Sequence, residues 1–149
     1  MFHSKKNQFI LSIFFIITLS YFLYNAFHPL VHETGAAAIR VHPLITCKEV
    51  SESFQPAEST AIFYIDSPAI HSLLRFENLP KQSVLTAKWF YHSQNQKLLY
   101  ETSVDVSGSD TAHFWIQAPA KGWYIGSYMI EIYLNENLIE KKEIIVTYK

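Results

Sequence analysis

From Arg40 to Tyr148 apolar and polar residues alternate in short runs, and turn-forming residues separate the runs. The first run, Val41–Val50, is confined to a sheet edge by Pro43, which has no N–H to give a ladder. Ala61–Ile65 is short and apolar. Ile70–Glu77 puts Ile70, Ser72, Leu74 and Phe76 on one side, and Val84–Tyr91 does the same with Leu85, Ala87, Trp89 and Tyr91. Leu98–Val106 aligns Leu98, Tyr100, Thr102, Val104 and Val106, and Thr111–Ala118 aligns Phe114 with Ile116. Ser127–Leu134 turns Tyr128, Ile130, Ile132 and Leu134 inward, and Asn137–Tyr148 turns in Ile144 and Val146. A period of two, with no sustained helical period, predicts strands. Turn chemistry falls at Asn78-Leu79-Pro80-Lys81, Ser93-Gln94-Asn95-Gln96, Ser107-Gly108-Ser109-Asp110, Pro119-Ala120-Lys121-Gly122 and Asn135-Glu136-Asn137. The expectation is an all-β chain, an antiparallel β-sandwich of seven to eight strands over residues 41–149.

The N-terminal pattern is different. Phe9 to Phe27 reads FILSIFFIITLSYFLYNAF without a charge. As a helix rising about 1.5 Å per residue it spans roughly 28 Å, against a bilayer core of about 30 Å. Residues 9–27 are therefore read as one transmembrane helix acting as a signal anchor. Lys5 and Lys6 precede it, and the next basic residue is Arg40, so residues 1–8 form a cytoplasmic tip and the body lies across the membrane. That places a single-pass protein in the cytoplasmic (inner) membrane, its C-terminal domain outside the cytoplasm and periplasmic if the cell is Gram-negative. A cleaved signal peptide is the open alternative, although Ala36-Ala37-Ala38 lies about a dozen residues beyond the usual reach of a cleavage site. Residues 28–40, rich in Pro, Gly, Ala and polar groups, read as a spacer. His28 and His32 within it lack a third ligand at fixed spacing and are read as solvated histidines, not a metal site.

Gly122-Trp123-Tyr124-Ile125-Gly126-Ser127-Tyr128 raises the sharpest question, because the chain has only 4 glycines. A ligand loop is one reading. A crossing between the two sheets is the other: glycine supplies tight backbone, and a tyrosine early in the next strand returns its hydroxyl to the crossing. Trp89, Gly126, Tyr128 and Ile130 are then a structural corner, with Leu74 facing Trp89 from the preceding strand.

From Cys47 onward the chain resembles extracytoplasmic bacterial Ig-like (fibronectin-III-like) modules. The resemblance is carried by the Trp89 strand, by Phe114-Trp115-Ile116, by the segment 122–128 and by the hairpin Glu131–Val146. It covers about two-thirds of the chain. It implies an Ig-like sandwich that binds, spaces or assembles, without the immunoglobulin cysteine pair, since Cys47 is the only cysteine.

Composition narrows the function. Hydrophobic residues at 49% suffice for a packed core, and a net charge of −1 leaves no electrostatic footprint for nucleic acid. One cysteine excludes an internal disulfide and a cysteine-based zinc site. No nucleophile elbow, zinc-protease helix or phosphate loop occurs, and the acids are scattered among strand ends, so no catalytic residue, metal or cofactor is expected. Alternation turns Leu73, Leu99 and Trp115 outward on strands taken to share one sheet, a candidate interaction surface. Trp123 and Tyr124 are candidates for stacking a ligand. The resulting expectation is a membrane-anchored, non-catalytic interaction or accessory module with a protein partner in an envelope assembly. A small-ligand module, for instance one for carbohydrate, is the alternative.

Overall fold

A computed structural model describes residues 37–92 and 96–149. The expected tip, anchor and most of the spacer lie outside the described residues. Among the described residues every regular element is a strand, and no helix is long and apolar enough to cross a membrane. In chain order these are β1 (Arg40–Val41), β2 (Ile45–Val50), β3 (Pro56–Ser59), β4 (Ile62–Tyr64), β5 (Ala69–His92), β6 (Lys97–Gln117), β7 (Gly126–Leu134) and β8 (Asn137–Thr147). The body is thus all-β with eight strands.

Two of them are far longer than the pattern of turns suggests. Asn78-Leu79-Pro80-Lys81 and Ser107-Gly108-Ser109-Asp110, expected to end strands, lie inside β5 and β6. The paired strands run through both places and bend. Asn78 (φ 60°) and Gln82 (φ 64°) take left-handed backbone, Gly108 (φ 70°) does so opposite Leu79, and the register shifts on either side of Leu79. Such bulges insert residues without breaking the ladder, so the sheet creases instead of stopping.

The crease divides the hydrogen-bonded network into two arms. In the first, β3 pairs with β2, β2 with residues 71–73 of β5, and residues 69–76 of β5 with 110–117 of β6. β1 continues the β2 edge after a break at Pro43, bridged by the bond from the His42 amide to the Arg75 carbonyl. In the second arm residues 83–91 of β5 carry residues 97–106 of β6 on one side. Residues 85–92 carry β7 on the other, followed by β8 and, in parallel, β4. β3 was not expected, because its Pro-Ala-Glu-Ser sequence has no alternation to read.

One apolar core joins the arms. Ile70, Leu74, Phe76 and Phe114 from the first meet Leu85, Trp89, Ile130, Ile132 and Ile144 from the second. Burying each such side chain stabilises by about 1.5–3 kcal/mol. The turn at 135–137 is a two-residue hairpin with positive φ at Asn135 and Glu136. The Asn135 side-chain oxygen also accepts from the Val84 amide, tying the hairpin to β5.

Candidate functional site

Of the inward face of residues 98–106, only Val106 packs against the core. Leu98, Tyr100 and Val104 stay exposed on a stretch whose alternation predicts burial. The reason is topological. Among the described residues β6 pairs only with β5, so both its arms are edges with no strand beyond them. Between those edges lies an apolar cleft of about 650 Å3. Tyr100, Thr102 and Val104 form one wall, and the run His113 to Gln117 forms the other, with Leu99, Pro119 and Trp123 completing it. Five consecutive residues on one wall include both faces of the strand. It is therefore the backbone edge of β6, not one side-chain face, that borders the cleft.

Beside this wall lies an aromatic and imidazole cluster. Register puts Cys47, His71 and Trp115 in one cross-strand row and Ile45, Leu73 and His113 in the next. His71 Nδ1 and His113 Nε2 are 2.9 Å apart in a hydrogen bond between the rings. His113 stacks on Trp115 with centroids 5.0 Å apart, and Phe54, from the turn between β2 and β3, meets His113 edge-on. Burial lowers the pKa of both histidines; Glu49 draws His71 partly back up, and proximity to His71 lowers His113 further. Burial pushes the Cys47 thiol above its usual value, so it stays protonated. No group of three or more His, Cys, Asp or Glu side chains among the described residues could hold a metal ion.

The expected surface of Leu73, Leu99 and Trp115 is only partly assembled. Leu73 is buried at 4% exposure and forms no part of the cleft. The strands of Leu73 and Trp115 do pair, but Leu99 sits on the other arm, because residues 98–106 pair with the far half of β5. Leu99 and Trp115 nevertheless meet as lining of the same cleft, through the crease instead of through a shared sheet face. Trp123 and Tyr124 separate. Trp123 is buried at 5% with its indole N–H bonded to the Ser67 carbonyl at 2.7 Å, whereas Tyr124 is exposed and leans on Tyr91. They form no common stacking platform.

Of the four corner residues, Trp89, Tyr128 and Ile130 share the core, and Gly126 lies against the Tyr91 ring. Trp89 and Ile130 are register partners in the core, and the Tyr128 hydroxyl donates to the Tyr124 carbonyl at 2.8 Å. Burial and nearby tyrosines raise the Tyr128 pKa to about 12, with the bond to Tyr124 a smaller opposing effect. A Cβ at Gly126 (φ 141°) would stand 3.2 Å from the Tyr91 ring, and one at Gly122 (φ 77°) would stand 3.0 Å from the Ile65 carbonyl oxygen. The two glycines of segment 122–128 thus serve the crossing. The sequence reading missed Tyr100, Thr102, Val104 and the His71–His113 pair as parts of one region; their outward or inward phase was readable, but their neighbours were not.

No protein-family model matches the chain, and no curated protein matches it. Among solved structures, an alkylpurine DNA glycosylase from Pseudomonas fluorescens, bound to DNA containing an abasic site analogue, has a TM-score of 0.46 at 12% identity, over 72% of this chain and 30% of that one. An immunoglobulin-like protein from Pseudomonas aeruginosa has a TM-score of 0.49 at 12% identity, over 76% of this chain and 99% of that one.

Proposed function

We propose that this chain is a non-catalytic interaction module of Ig-like build, anchored in the cytoplasmic membrane by residues 9–27, with its body outside the cytoplasm as part of an envelope assembly. Its binding region is the cleft along β6. The observation that carries this reading is the apolar lining left open there, with Leu99, Tyr100, Val104 and Trp115 exposed in a body whose other long strands bury their inward faces. Exposed apolar residues grouped around a concavity mark an interaction site more often than scattered ones do. The lining holds no carboxylate, lysine or cysteine, and its one imidazole, His113, is hydrogen-bonded to His71.

The test is site-specific photo-cross-linking of the full chain in native membranes. A photoreactive residue at Leu99 or Trp115 is expected to give an adduct of one shared mass, and one at Lys141, on the far side of the second arm, is expected to give none. Adducts at all three positions, or at Lys141 alone, refute the reading.

A small-ligand module is the second reading, favoured by the volume of the cleft, which falls within the roughly 300–1,000 Å3 of small-molecule sites. A saturable change in tryptophan fluorescence with a soluble glycan, lost in Trp115→Ala, would select it.

A further inference from the structure

We infer that His71 and His113 form a two-nitrogen site for a soft monovalent cation of the Cu+ class, held end-on between the rings in place of the proton they share. This goes beyond the interaction reading and does not depend on what the cleft binds. The observation that carries it is how the rings meet. His71 Nδ1 and His113 Nε2 are 2.9 Å apart, the ring centroids are 5.2 Å apart, and the ring planes differ by 24°. A five-membered ring with bonds of about 1.33 Å has a radius of about 1.1 Å. The centroid separation thus matches the nitrogen separation extended by both radii, which requires both nitrogens to lie on the line between the ring centres. The rings are end to end and nearly coplanar, not face to face. The N–H of one points straight at the lone pair of the other.

That alignment selects the kind of ion. Zn2+ asks for four donors at tetrahedral angles. Here two lone-pair axes oppose one another, and among the described residues no third His, Cys, Asp or Glu joins the pair to complete a set. A d10 monovalent ion is satisfied by two donors in a line, and imidazole is a ligand that copper accepts. The rings can open to admit it. His71 is the register partner of Trp115, so His113 is its diagonal neighbour on β6. Diagonal neighbours stand about 7–8 Å apart, against about 5 Å for direct partners, so ring rotation can part the nitrogens without moving either strand. Bonds of about 2 Å to the ion need the nitrogens about 4 Å apart, roughly 1 Å more than their present separation. The ring that donates the present bond moves its proton to its other nitrogen, His71 Nε2 or His113 Nδ1. Both inner lone pairs then face the ion, and no proton leaves the protein. The surroundings suit a single charge. Phe54 and Trp115 flank His113, and the register partners Leu73 and Cys47 are buried, so little water competes. Glu49 is the negative charge felt at His71 and offsets that of the ion.

The experiment titrates Cu+ anaerobically into the full chain in detergent, in competition with a chromogenic Cu+ chelator, and repeats the titration with Zn2+. One Cu+ per chain is expected. His71→Gln and His113→Gln are each expected to weaken it at least about tenfold, since loss of an outer-shell partner alone costs about that much. Cys47→Ala, and His28→Gln with His32→Gln, are expected to leave Cu+ binding unchanged, and Zn2+ affinity is expected to be the same with and without the pair. X-ray absorption of the copper-loaded chain is expected to show two nitrogen donors in a line and no sulfur, a readout that needs no variant. The inference is overturned by equal Cu+ affinity in the wild type and in the variant lacking both imidazoles, or by a loss confined to one of them. Sulfur or a third nitrogen on the copper overturns it as well, as does loss of Cu+ in Cys47→Ala or a Zn2+ affinity that falls with the pair.

Discussion

The hydroxyl of Tyr128 donates to the carbonyl of Tyr124, four residues earlier, while its ring lies edge-on to Trp123 with centroids 5.7 Å apart. One side chain thus fastens both the backbone of the crossing and the indole that closes the end of the core. Tyr128→Phe keeps the ring and removes the donor. The expected cost is about 1–2 kcal/mol, since the Tyr124 carbonyl loses its partner in a half-buried setting. Urea unfolding followed by tryptophan fluorescence measures it, and an unchanged midpoint would detach the hydroxyl from the stability of the corner.

The glycines rank by what a Cβ would meet. Gly108 has left-handed backbone but open space around it, so Gly108→Ala is expected to cost only about 1 kcal/mol of conformational strain. Gly126→Ala adds an approach to the Tyr91 ring, whose hydroxyl is held by the Ile125 carbonyl, and Gly122→Ala adds an approach to rigid backbone. Both are expected to cost about 2–3 kcal/mol. Equal midpoints for all three variants would contradict the ranking.

Trp89 is buried at 1% exposure, and its indole N–H has no acceptor among the described residues. An unpaired donor in the core offsets part of what the ring contributes. Trp89→Phe removes apolar volume and that donor together, so its expected cost is about 1–2 kcal/mol. Ile130→Ala, beside it in register, only opens a cavity and is expected to cost about 2–5 kcal/mol. The reverse order, read from chemical denaturation, would show that the indole N–H is satisfied in solution.

The imidazole pair makes stability depend on pH. Both rings titrate below the ordinary 6.5 because burial disfavours their charged forms, and their mutual hydrogen bond survives with at most one of them protonated. Between the native and unfolded pKa values the unfolded chain binds more protons, so stability rises with pH there. The contribution is complete above about pH 7, falls as pH drops through 6.5, and reaches a constant deficit below the native values. Glu49 opposes this at His71, and Cys47, protonated, adds no charge. Urea midpoints at pH 7.5 and 5.5 are expected to differ in the wild type, by less in His71→Gln and in His113→Gln, and least when both are replaced. A gap of wild-type size in the variant lacking both imidazoles would show that the effect does not come from this pair.

How far the sequence reveals this molecule depends on whether a property is local. In Val84–Tyr91 and Ser127–Leu134 the alternation alone names the buried side, because central strands have one dry face. Gly126-Ser127-Tyr128 names the corner, because a hydroxyl reaching four residues back is a local event. The creases at Asn78–Gln82 and Gly108 look locally like strand ends, since the same residue types bend a ladder or finish it according to whether the partner strand bends too. His71 and His113 lie 42 residues apart, and only register brings their rings together. Residues 98–106 are the clearest case. Their phase is right, yet phase does not tell whether another strand covers them.

That last stretch separates packing from binding. Val104 and Trp115 remain 41% and 49% exposed, and side chains this open contribute little to folding. Val104→Thr keeps the β-branched shape that suits a strand and removes apolar character, and Trp115→Ser leaves His113 its bond to His71. Val104→Thr is expected to change unfolding free energy by no more than about 0.5 kcal/mol, and Trp115→Ser, which also gives up its stack on His113, by no more than about 1.5 kcal/mol. Core residues of the same size lose several times that, so near-neutral stability combined with loss of the Leu99 photo-adduct is the signature of residues held for contact with a partner. A loss above about 2 kcal/mol in either variant would instead make the cleft wall part of the core, and the apolar lining would then need no occupant to explain it.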